Sequence, residues 1–398
     1  MTSSWALKAA QQRLPAITAL RRAIHQEPEI GLQLPATQQK ILAVIGKLEG
    51  LEVRLGRTVT SIVADLGGKS PGPTILLRAD MDALPITEAA EVEYASQTDG
   101  RMHACGHDAH AAMLVGAVLI LAEHRAAFRG RVRFAFQPGE ENDFGMCHMI
   151  DEGVLDAVDA AFSLHVAPNL PANLVGTRTG PIMAAADAFQ VRITGHEGHA
   201  SAPHRAKDPV PVCCEYVSAL QTFVTREISP FEPAVITVTR IEAGNTTNVI
   251  PASATVEGTI RTLNKTTRRL AAAGVVRLAR GLSAAHGCAA EVQVRRGYPV
   301  TVNNAEAAAL VRRVSQDIVG ERNVYEMPAP VMGADDFAHV LERVPGAMSL
   351  LGACPSDIEN PSMGPSVHSS LMRLNEDALA TGTALHVATA LQYLGAAA

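Results

Sequence analysis

The feature that most constrains the fold of this chain is an alternation of helical and strand-like hydrophobic patterns in its first 182 residues. Helical spacing of apolar residues covers 7–22 and 36–48. Short apolar runs of strand length cover 61–66, 74–77, 132–136 and 160–164. Strands separated by helices predict an α/β domain with a mainly parallel sheet that is covered by helices on both faces.

Side chains capable of chemistry follow these strands. Asp80 and Asp82 follow the run TILLRA. Glu140 and Glu141 follow RVRFAFQPG, and His165 is the last residue of AAFSLH. Ligands of open α/β sheets bind at the carboxyl ends of the strands. We therefore expect these side chains to meet at one edge of the sheet.

The pattern changes near residue 183 to the order β-α-β-β-α-β, which predicts a ferredoxin-like unit. The strands are expected at 188–195, 234–244, 248–262 and 289–296, and the helices at 209–227 and 265–286. From 297 the α/β pattern returns and ends in a helix at 376–394. A length of 398 residues is too great for one usual domain of about 150. We predict a first domain at 1–182 and 297–398, interrupted by a second at 183–296.

Charge and composition exclude several partners. The net charge is −6 and no basic stripe interleaves with aromatic residues, which argues against a nucleic-acid surface. The longest uncharged apolar run, 111–122, is too short to cross a bilayer and predicts a buried helix. The first 22 residues contain no signal-peptide pattern, and the six cysteines have no regular spacing. We expect a cytoplasmic protein with reduced thiols and no membrane partner.

Two motifs resemble functional signatures but fail on detail. Gly68-Lys69-Ser70 lacks the first glycine of a phosphate loop, and prolines at 71 and 73 argue against the helix that must follow. The segment 196–199, HEGH, spaces its histidines by three rather than by the four of a zinc-protease helix. We predict a turn for the first and a loop for the second.

The segment 103–110, HACGHDAH, is the strongest candidate for chemistry. Cys105 and His107, with Gly106 between them, suit a thiolate and an imidazole that converge on one metal ion. The alternative is a buried cysteine beside a helix-capping Asp108, with histidines that face solvent. The 14 histidines equal the phenylalanines and tyrosines combined, an excess that favours metal binding or proton transfer.

Three further positions remain ambiguous on their own. Glu140 and Glu141 after a buried strand would need a cation or a proton to compensate them, but they could also be exposed loop residues. His165 on an apolar strand could be a core histidine. His368, in VHSS, is equally open.

Taken together, these segments resemble the M20 metallopeptidase family, and specifically its N-acyl-amino-acid amidohydrolases, which include hippurate hydrolases and auxin-conjugate hydrolases. The similar stretches extend over nearly the whole chain. They include RRAIHQEPEIG at 21–31, LLRADMDALPI at 76–86, MHACGHDAH at 102–110, FQPGEE at 136–141, GHASAPH at 198–204, TNVIPASATVEGTIRT at 247–262, GADDFA at 333–338 and VHSS at 367–370.

The resemblance implies a role for each candidate. It makes two divalent ions the cofactor, zinc or manganese first and cobalt or nickel next, with Cys105 as the bridge between them. The implied metal ligands are Cys105, His107, Glu141, His165 and His368. Glu140 is implied as the general base, and Asp82 as a carboxylate that orients the ligands.

For the inserted domain, the resemblance implies a lid that also forms a homodimer. His199 would donate a hydrogen bond to the oxyanion in the partner subunit, while Asn248 and Arg261 would bind substrate. The alternatives are an exposed loop histidine, a turn-stabilising asparagine and a surface arginine. Relatives carry a glycine-rich run after the paired glutamates, whereas this chain has the bulkier sequence NDFGMC at 142–147, which predicts a different substrate choice.

The resulting hypothesis is a dinuclear metal-dependent amidohydrolase that cleaves N-acyl or N-aroyl amino acids, small molecules, to a carboxylic acid and an amino acid. Two alternatives stay open. One is a dipeptidase or an aminohydrolase that acts on another C–N bond with the same site. The other is a non-catalytic dimeric binding protein, against which the complete ligand set and Glu140 argue.

Overall fold

A computed structural model describes residues 3–395 of the chain. The chain divides into two compact units. The first unit extends to Ile182 and also contains Val302–Ala329 and the chain from Asp336 onward. The second unit consists of Met183–Thr301 and Pro330–Asp335. The second unit thus extends five residues past the predicted boundary at 296 and takes in a segment that the sequence pattern did not indicate.

The helices are α1 (Ser3–His25), α2 (Pro35–Ile45), α3 (His107–Glu123), α4 (Gly145–Asp151), α5 (Pro209–Glu227), α6 (Lys265–Ala285), α7 (Ala305–Val319), α8 (Ala338–Leu341) and α9 (Ala378–Leu394). The strands are β1 (Leu51–Leu55), β2 (Ile62–Gly67), β3 (Thr74–Asp80), β4 (Arg131–Gln137), β5 (Ala160–Ala167), β6 (Val175–Thr177), β7 (Gly180–Met183), β8 (Ala185–Thr194), β9 (Gly198–His199), β10 (Ala234–Ala243), β11 (Val249–Ile250), β12 (Ser253–Thr262), β13 (Ala289–Arg296), β14 (Thr301–Asn303), β15 (Val324–Glu326) and β16 (Gly346–Gly352).

The first unit is built on an eight-stranded sheet with the order β1-β2-β4-β3-β5-β16-β6-β15. Its centre, β4-β3-β5-β16, is parallel. The pairs β1-β2, β2-β4 and β16-β6 are antiparallel, and the edge pair β6-β15 is parallel again. The central strands are almost entirely buried, with exceptions at the first residues of β3 and β4 and at His165 of β5, because helices cover both faces of such a sheet. The predicted mainly parallel α/β fold is confirmed.

Helix α3 forms the centre of the main hydrophobic core. It is apolar on every side, and from His107 to Val118 each residue is buried. A helix that is hydrophobic all round belongs in the interior, so the apolar run at 111–122 is a core element. Between residues 3 and 395, none of the helices combines the length and the apolar character needed to cross a bilayer.

The second unit is a four-stranded antiparallel sheet with the order β10-β12-β8-β13, and α5 and α6 are its two long helices. Alternate residues of β8 and β12 are buried in a separate core with these helices. Asp208 accepts a hydrogen bond from the Val210 amide and Asn264 accepts one from the Thr267 amide, so each helix begins at a side-chain cap.

Two local predictions need correction. The strand expected at 248–262 is split into β11 and β12 around Pro251, which has no N–H to donate to a strand ladder. The loop expected at 196–199 is partly extended, because Gly198 and His199 form β9 and pair with β11. Residues 68–73 form no helix, so the rejection of a phosphate loop is confirmed.

Candidate metal centre

The candidate site of the first unit lies where the parallel strands end. Asp80 is the last residue of β3 and pairs in register with Gln137, the last residue of β4. The Glu140-Glu141 pair follows β4 by three residues, and His165 lies near the end of β5. Parallel neighbours end at the same edge of a sheet, so the expectation that these side chains meet there is confirmed.

The structure brings the five predicted ligands together in two sets of three that share Cys105. One set contains His107 and His165, and the other contains Glu141 and His368. Within each set the candidate ligand atoms lie within 4.8 Å of one another. Cys105 Sγ is 3.4 Å from His165 Nε2, and His368 Nε2 is 3.1 Å from Glu141 Oε1.

Two unusual backbone conformations place these ligands. Gly106 has φ +87°, and a Cβ there would lie 2.4 Å from Val166 Cγ2, so only glycine fits between Cys105 and His107. His368 also has a positive φ, 67°, and its amide donates to the Ala104 carbonyl at 2.7 Å. Each conformation brings a ligand next to Cys105.

Asp82 holds the two glutamates in place. It is buried, and its two carboxylate oxygens accept hydrogen bonds from the amides of Glu140 and Glu141, each at 2.9 Å. Its Oδ1 also lies 3.3 Å from His107 Nδ1. Glu140 is only 6% exposed, with Oε2 4.0 Å from His107 Nε2. The alternative of two exposed loop glutamates is therefore wrong.

The histidines of segment 103–110 are buried as well. His103, His107 and His110 are each at most 1% exposed, so they do not face solvent. Asp108 makes no cap on α3, because its carboxylate lies 2.7 Å from the Arg21 guanidinium and 2.7 Å from His25 Nδ1. The alternative reading of this segment is wrong on both counts.

A third group of potential ligands, Asp80, His107 and His110, has its own partners. His110 Nε2 accepts a hydrogen bond from the Val166 amide at 2.9 Å, and Nδ1 lies 2.5 Å from Asp80 Oδ1. Both ring nitrogens of His110 are thus engaged. Arg78 Nη1 donates to Asp80 Oδ2 at 2.6 Å. Asp80 and His110 serve to hold the edge of the sheet.

A buried hydrogen-bond network centred on Asp336 was not predicted from the sequence. Its carboxylate accepts hydrogen bonds from Arg78 at 2.9 Å, from the Gln137 side chain at 2.8 Å and from the Met146 amide at 2.9 Å. It therefore joins β3 and β4 to the start of α4. The signal was available in the GADDFA stretch, but Arg78 and Asp336 are 258 positions apart and nothing in the sequence pairs them.

The protein concentrates negative charge around His107. Burial lowers the pKa of His107, but the charges of Asp80 and Cys105 outweigh burial and raise that pKa well above its ordinary value. Hydrogen bonds with Cys105 and Glu141 raise the pKa of His368 to about 10. Burial lowers the pKa of His165 to about 3. Negative charge therefore acts on His107 and His368, whereas His165 is held in the neutral form in which an imidazole binds a metal ion.

The three other predicted residues lie in the second unit. His199 is exposed on β9, and the Ser201 amide donates to its Nδ1 at 3.1 Å. Asn248 Oδ1 accepts from Thr246 Oγ1 at 3.0 Å, and the Asn248 carbonyl accepts from the Ala200 amide, next to His199. Arg261 is half-buried on β12, and burial lowers its pKa.

The sequence and fold match known proteins along most of the chain. Residues 76–392 match the peptidase family M20/M25/M40. The chain is 39% identical to the IAA-amino acid hydrolase ILR1-like 2 of Arabidopsis thaliana, over 94% of this chain and 84% of that protein. It is 38% identical to the N-acetyl-L-cysteine deacetylase of Bacillus subtilis, over 84% of this chain and 80% of that protein.

A solved structure from Bacillus subtilis, described as a dinuclear metal-binding peptidase of the M20 family, superposes with a TM-score of 0.83. It is 31% identical, and the match covers 96% of this chain and 99% of that one. The family match and the two sequence relatives each extend over more than three quarters of the chain. The chain therefore belongs to the peptidase family M20/M25/M40, in its amidohydrolase branch, and is a metal-dependent hydrolase.

Proposed function

We propose that this protein is a dinuclear metal-dependent amidohydrolase that cleaves the amide bond of N-acyl or N-aroyl amino acids. The observation that carries the proposal is the pair of three-ligand sets that share the Cys105 thiol. Two ligands of one zinc ion lie at most about 4.6 Å apart, twice a bond length of about 2.3 Å. Cys105 Sγ and His165 Nε2, 3.4 Å apart, and His368 Nε2 and Glu141 Oε1, 3.1 Å apart, lie within that limit.

The donor atoms fit divalent ions. His107 Nε2 is buried and has no hydrogen-bond partner in the part of the chain that the structure describes, so it is available to a metal. Thiolate with imidazole favours zinc, while the carboxylate also suits manganese, and cobalt or nickel fit the same set. When bound, the ions would act as Lewis acids that polarise the scissile carbonyl and make water more acidic.

Glu140 is the group placed to move the proton. The Asp82 carboxylate fixes the backbone of both glutamates, so that Glu141 can serve as a ligand while Glu140 stays beside it. We assign Glu140 the removal of a proton from the attacking water and its delivery to the leaving nitrogen. That transfer releases the carboxylic acid and the amino acid.

The second unit would supply substrate binding and the subunit interface. Its element order and its strand order, β10-β12-β8-β13, support a ferredoxin-like lid and dimerisation domain. Because the Ser201 amide donates to His199 Nδ1, a neutral His199 carries its proton on Nε2, from which it can donate to the oxyanion. Among residues 3–395, no side chain or carbonyl forms a hydrogen bond or an ion pair with the Arg261 guanidinium, and a substrate carboxylate would supply a partner.

The assignment of the two units follows from these roles. The unit with the five ligands would be the catalytic domain, and the inserted unit would be the lid, through which two copies form a homodimer. Asn248, adjacent in space to His199 through Ala200, would contact the substrate. Six free cysteines support the prediction that the protein is cytoplasmic.

A substrate panel tests the proposal. Acetyl, benzoyl and indole-acetyl amino acids, with a dipeptide as the competing class, are incubated with wild-type enzyme and with Glu140→Gln, and the released amino acid is quantified. The expected result is cleavage of at least one acyl amino acid by the wild type and a loss of more than 100-fold in Glu140→Gln. Equal turnover by both proteins would overturn the assignment of the base, and cleavage of the dipeptide alone would overturn the substrate class.

A further inference from the structure

The segment RRAIHQEPEIG at 21–31 has no part in the proposed chemistry, yet it reaches the ligands through buried contacts. It covers the end of α1 and the turn that follows. Arg21 and His25 project from the last two turns of α1, and both are 1% exposed. Both contact Asp108, which directly follows the ligand His107.

The contacts form a clamp on one carboxylate oxygen. Asp108 Oδ2 is 2.7 Å from Arg21 Nε and 2.7 Å from His25 Nδ1. Asp108 itself is fully buried, in the first turn of α3. His25 Nδ1 forms a hydrogen bond with this oxygen, whereas Arg21 contributes an ion pair, because Arg21 Nε has no hydrogen-bond partner among the described residues. A buried carboxylate with these two partners is fixed in position, because any movement would leave its charge unpaired.

The clamp is itself anchored on both sides. His25 Nε2 lies 3.1 Å from Glu88 Oε1, and the other oxygen of Glu88 accepts from the Ser96 amide at 2.7 Å. Arg21 Nη1 lies 3.3 Å from Glu376, just before α9. Arg21 and His25 are therefore held by two further segments of the first unit.

The same segment also reaches the backbone beside Asp82. The Glu29 carbonyl accepts a hydrogen bond from the Ala83 amide at 2.8 Å, and Ile30 pairs with Ala83 in a parallel bridge. Segment 21–31 thus contacts the residue after His107 and the residue after Asp82.

We propose that Asp108, held by Arg21 and His25, is a positioning residue that fixes the first turn of α3 and so places His107 and Cys105 to bind metal. This inference rests on the proposed function, because it needs those two side chains to be ligands. A carboxylate that orients metal ligands typically changes metal affinity by about 10- to 100-fold when it is removed.

Zinc affinity measured by competition with a chromophoric chelator tests the inference. The variant is Asp108→Asn, which keeps the shape of the side chain and removes its charge. The matched control is Asp65→Asn, because Asp65 is another buried carboxylate of the first unit and pairs with an arginine, Arg133, at 2.7 Å. We expect a 10- to 100-fold weaker zinc affinity in Asp108→Asn and a wild-type affinity in Asp65→Asn, with both melting temperatures lowered.

Wild-type affinity in folded Asp108→Asn would overturn the inference, as would an equal loss in Asp65→Asn, which would make the effect one of general stability. If Asp108→Asn does not fold, the zinc affinity of His25→Phe is measured instead, because this variant leaves Asp108 with Arg21 as its one remaining partner of the two. A zinc affinity about 10-fold weaker supports the inference, and an unchanged zinc affinity overturns it. The proposed function fails separately, if wild-type protein binds none of zinc, manganese, cobalt and nickel.

Discussion

Replacing Asp82 by asparagine tests how the paired glutamates are positioned. The two carboxylate oxygens of Asp82 accept hydrogen bonds from the amides of Glu140 and Glu141, both at 2.9 Å. Asparagine is nearly the same size but has only one acceptor. Its NH₂ group would therefore face one of the two backbone N–H groups, and that donor would lose its partner inside a buried site.

The size of the effect follows from the lost bond. A hydrogen bond to a charged group contributes about 1.5–3 kcal/mol. Each 1.36 kcal/mol added to the activation free energy lowers the rate tenfold. If the whole loss of one such bond raises the activation free energy, kcat falls by about 10- to 160-fold. KM should change little, because Asp82 binds the enzyme's own backbone rather than substrate.

Steady-state hydrolysis of an N-acyl amino acid, measured with saturating metal ion, gives both parameters. Asp65→Asn serves as the matched control and should keep wild-type kcat, because Asp65 pairs with Arg133 away from the ligands. A folded Asp82→Asn enzyme with kcat within twofold of wild type would show that the two hydrogen bonds of Asp82 do not position the glutamates for hydrolysis. A change confined to KM would also contradict it.

Three further predictions follow from other features. Gly106→Ala should destabilise the protein by at least about 1–2 kcal/mol, the cost of a left-handed backbone conformation for a residue other than glycine. It should also weaken zinc binding, because the new Cβ would collide with Val166 Cγ2. An unchanged melting temperature would contradict the expected destabilisation. Burial lowers the pKa of His386 to about 3 from its ordinary 6.5. As pH falls, the His386 side chain is therefore protonated in the unfolded state before it is protonated in the folded state. The free energy of unfolding should fall as pH drops from about 6.5 to 3. Urea denaturation of chelated protein at several pH values measures this dependence. The free energy of unfolding of His386→Gln should change less with pH than that of wild type, and the same change in both proteins would show that His386 does not cause it. Mixed dimers of His199→Ala and Glu140→Gln subunits should regain activity if His199 acts on the partner's site, whereas mixtures as inactive as the parents would show that it does not.

Much of the fold could be predicted because each element carries its own pattern. Helix 209–227 and strand 289–296 occur at the predicted residues, since apolar spacing and caps are local signals. Errors arose where one residue changes the local geometry. Pro251 divides a strand that is continuous by hydrophobicity, and the short pairing of β9 with β11 has no periodicity to detect.

The five proposed ligands could be singled out because each lies in a short segment that resembles the family. Their supports could not, because they pair residues far apart in the chain. His25 and Asp108 are 83 positions apart, and Arg78 and Asp336 are 258 apart. In the GADDFA segment, the carboxylate that joins Arg78 to the start of α4 is that of Asp336. Which distant charges meet depends on packing that only the folded chain shows.

In the proposed function, five side chains hold two metal ions that hydrolysis requires. Titration of chelated protein with zinc or manganese, with bound metal and turnover of an acyl amino acid measured on the same samples, tests this requirement. No turnover is expected without metal, and full turnover is expected at two equivalents of ion per chain. Turnover by metal-free protein, or saturation of both binding and turnover at one equivalent, would contradict it.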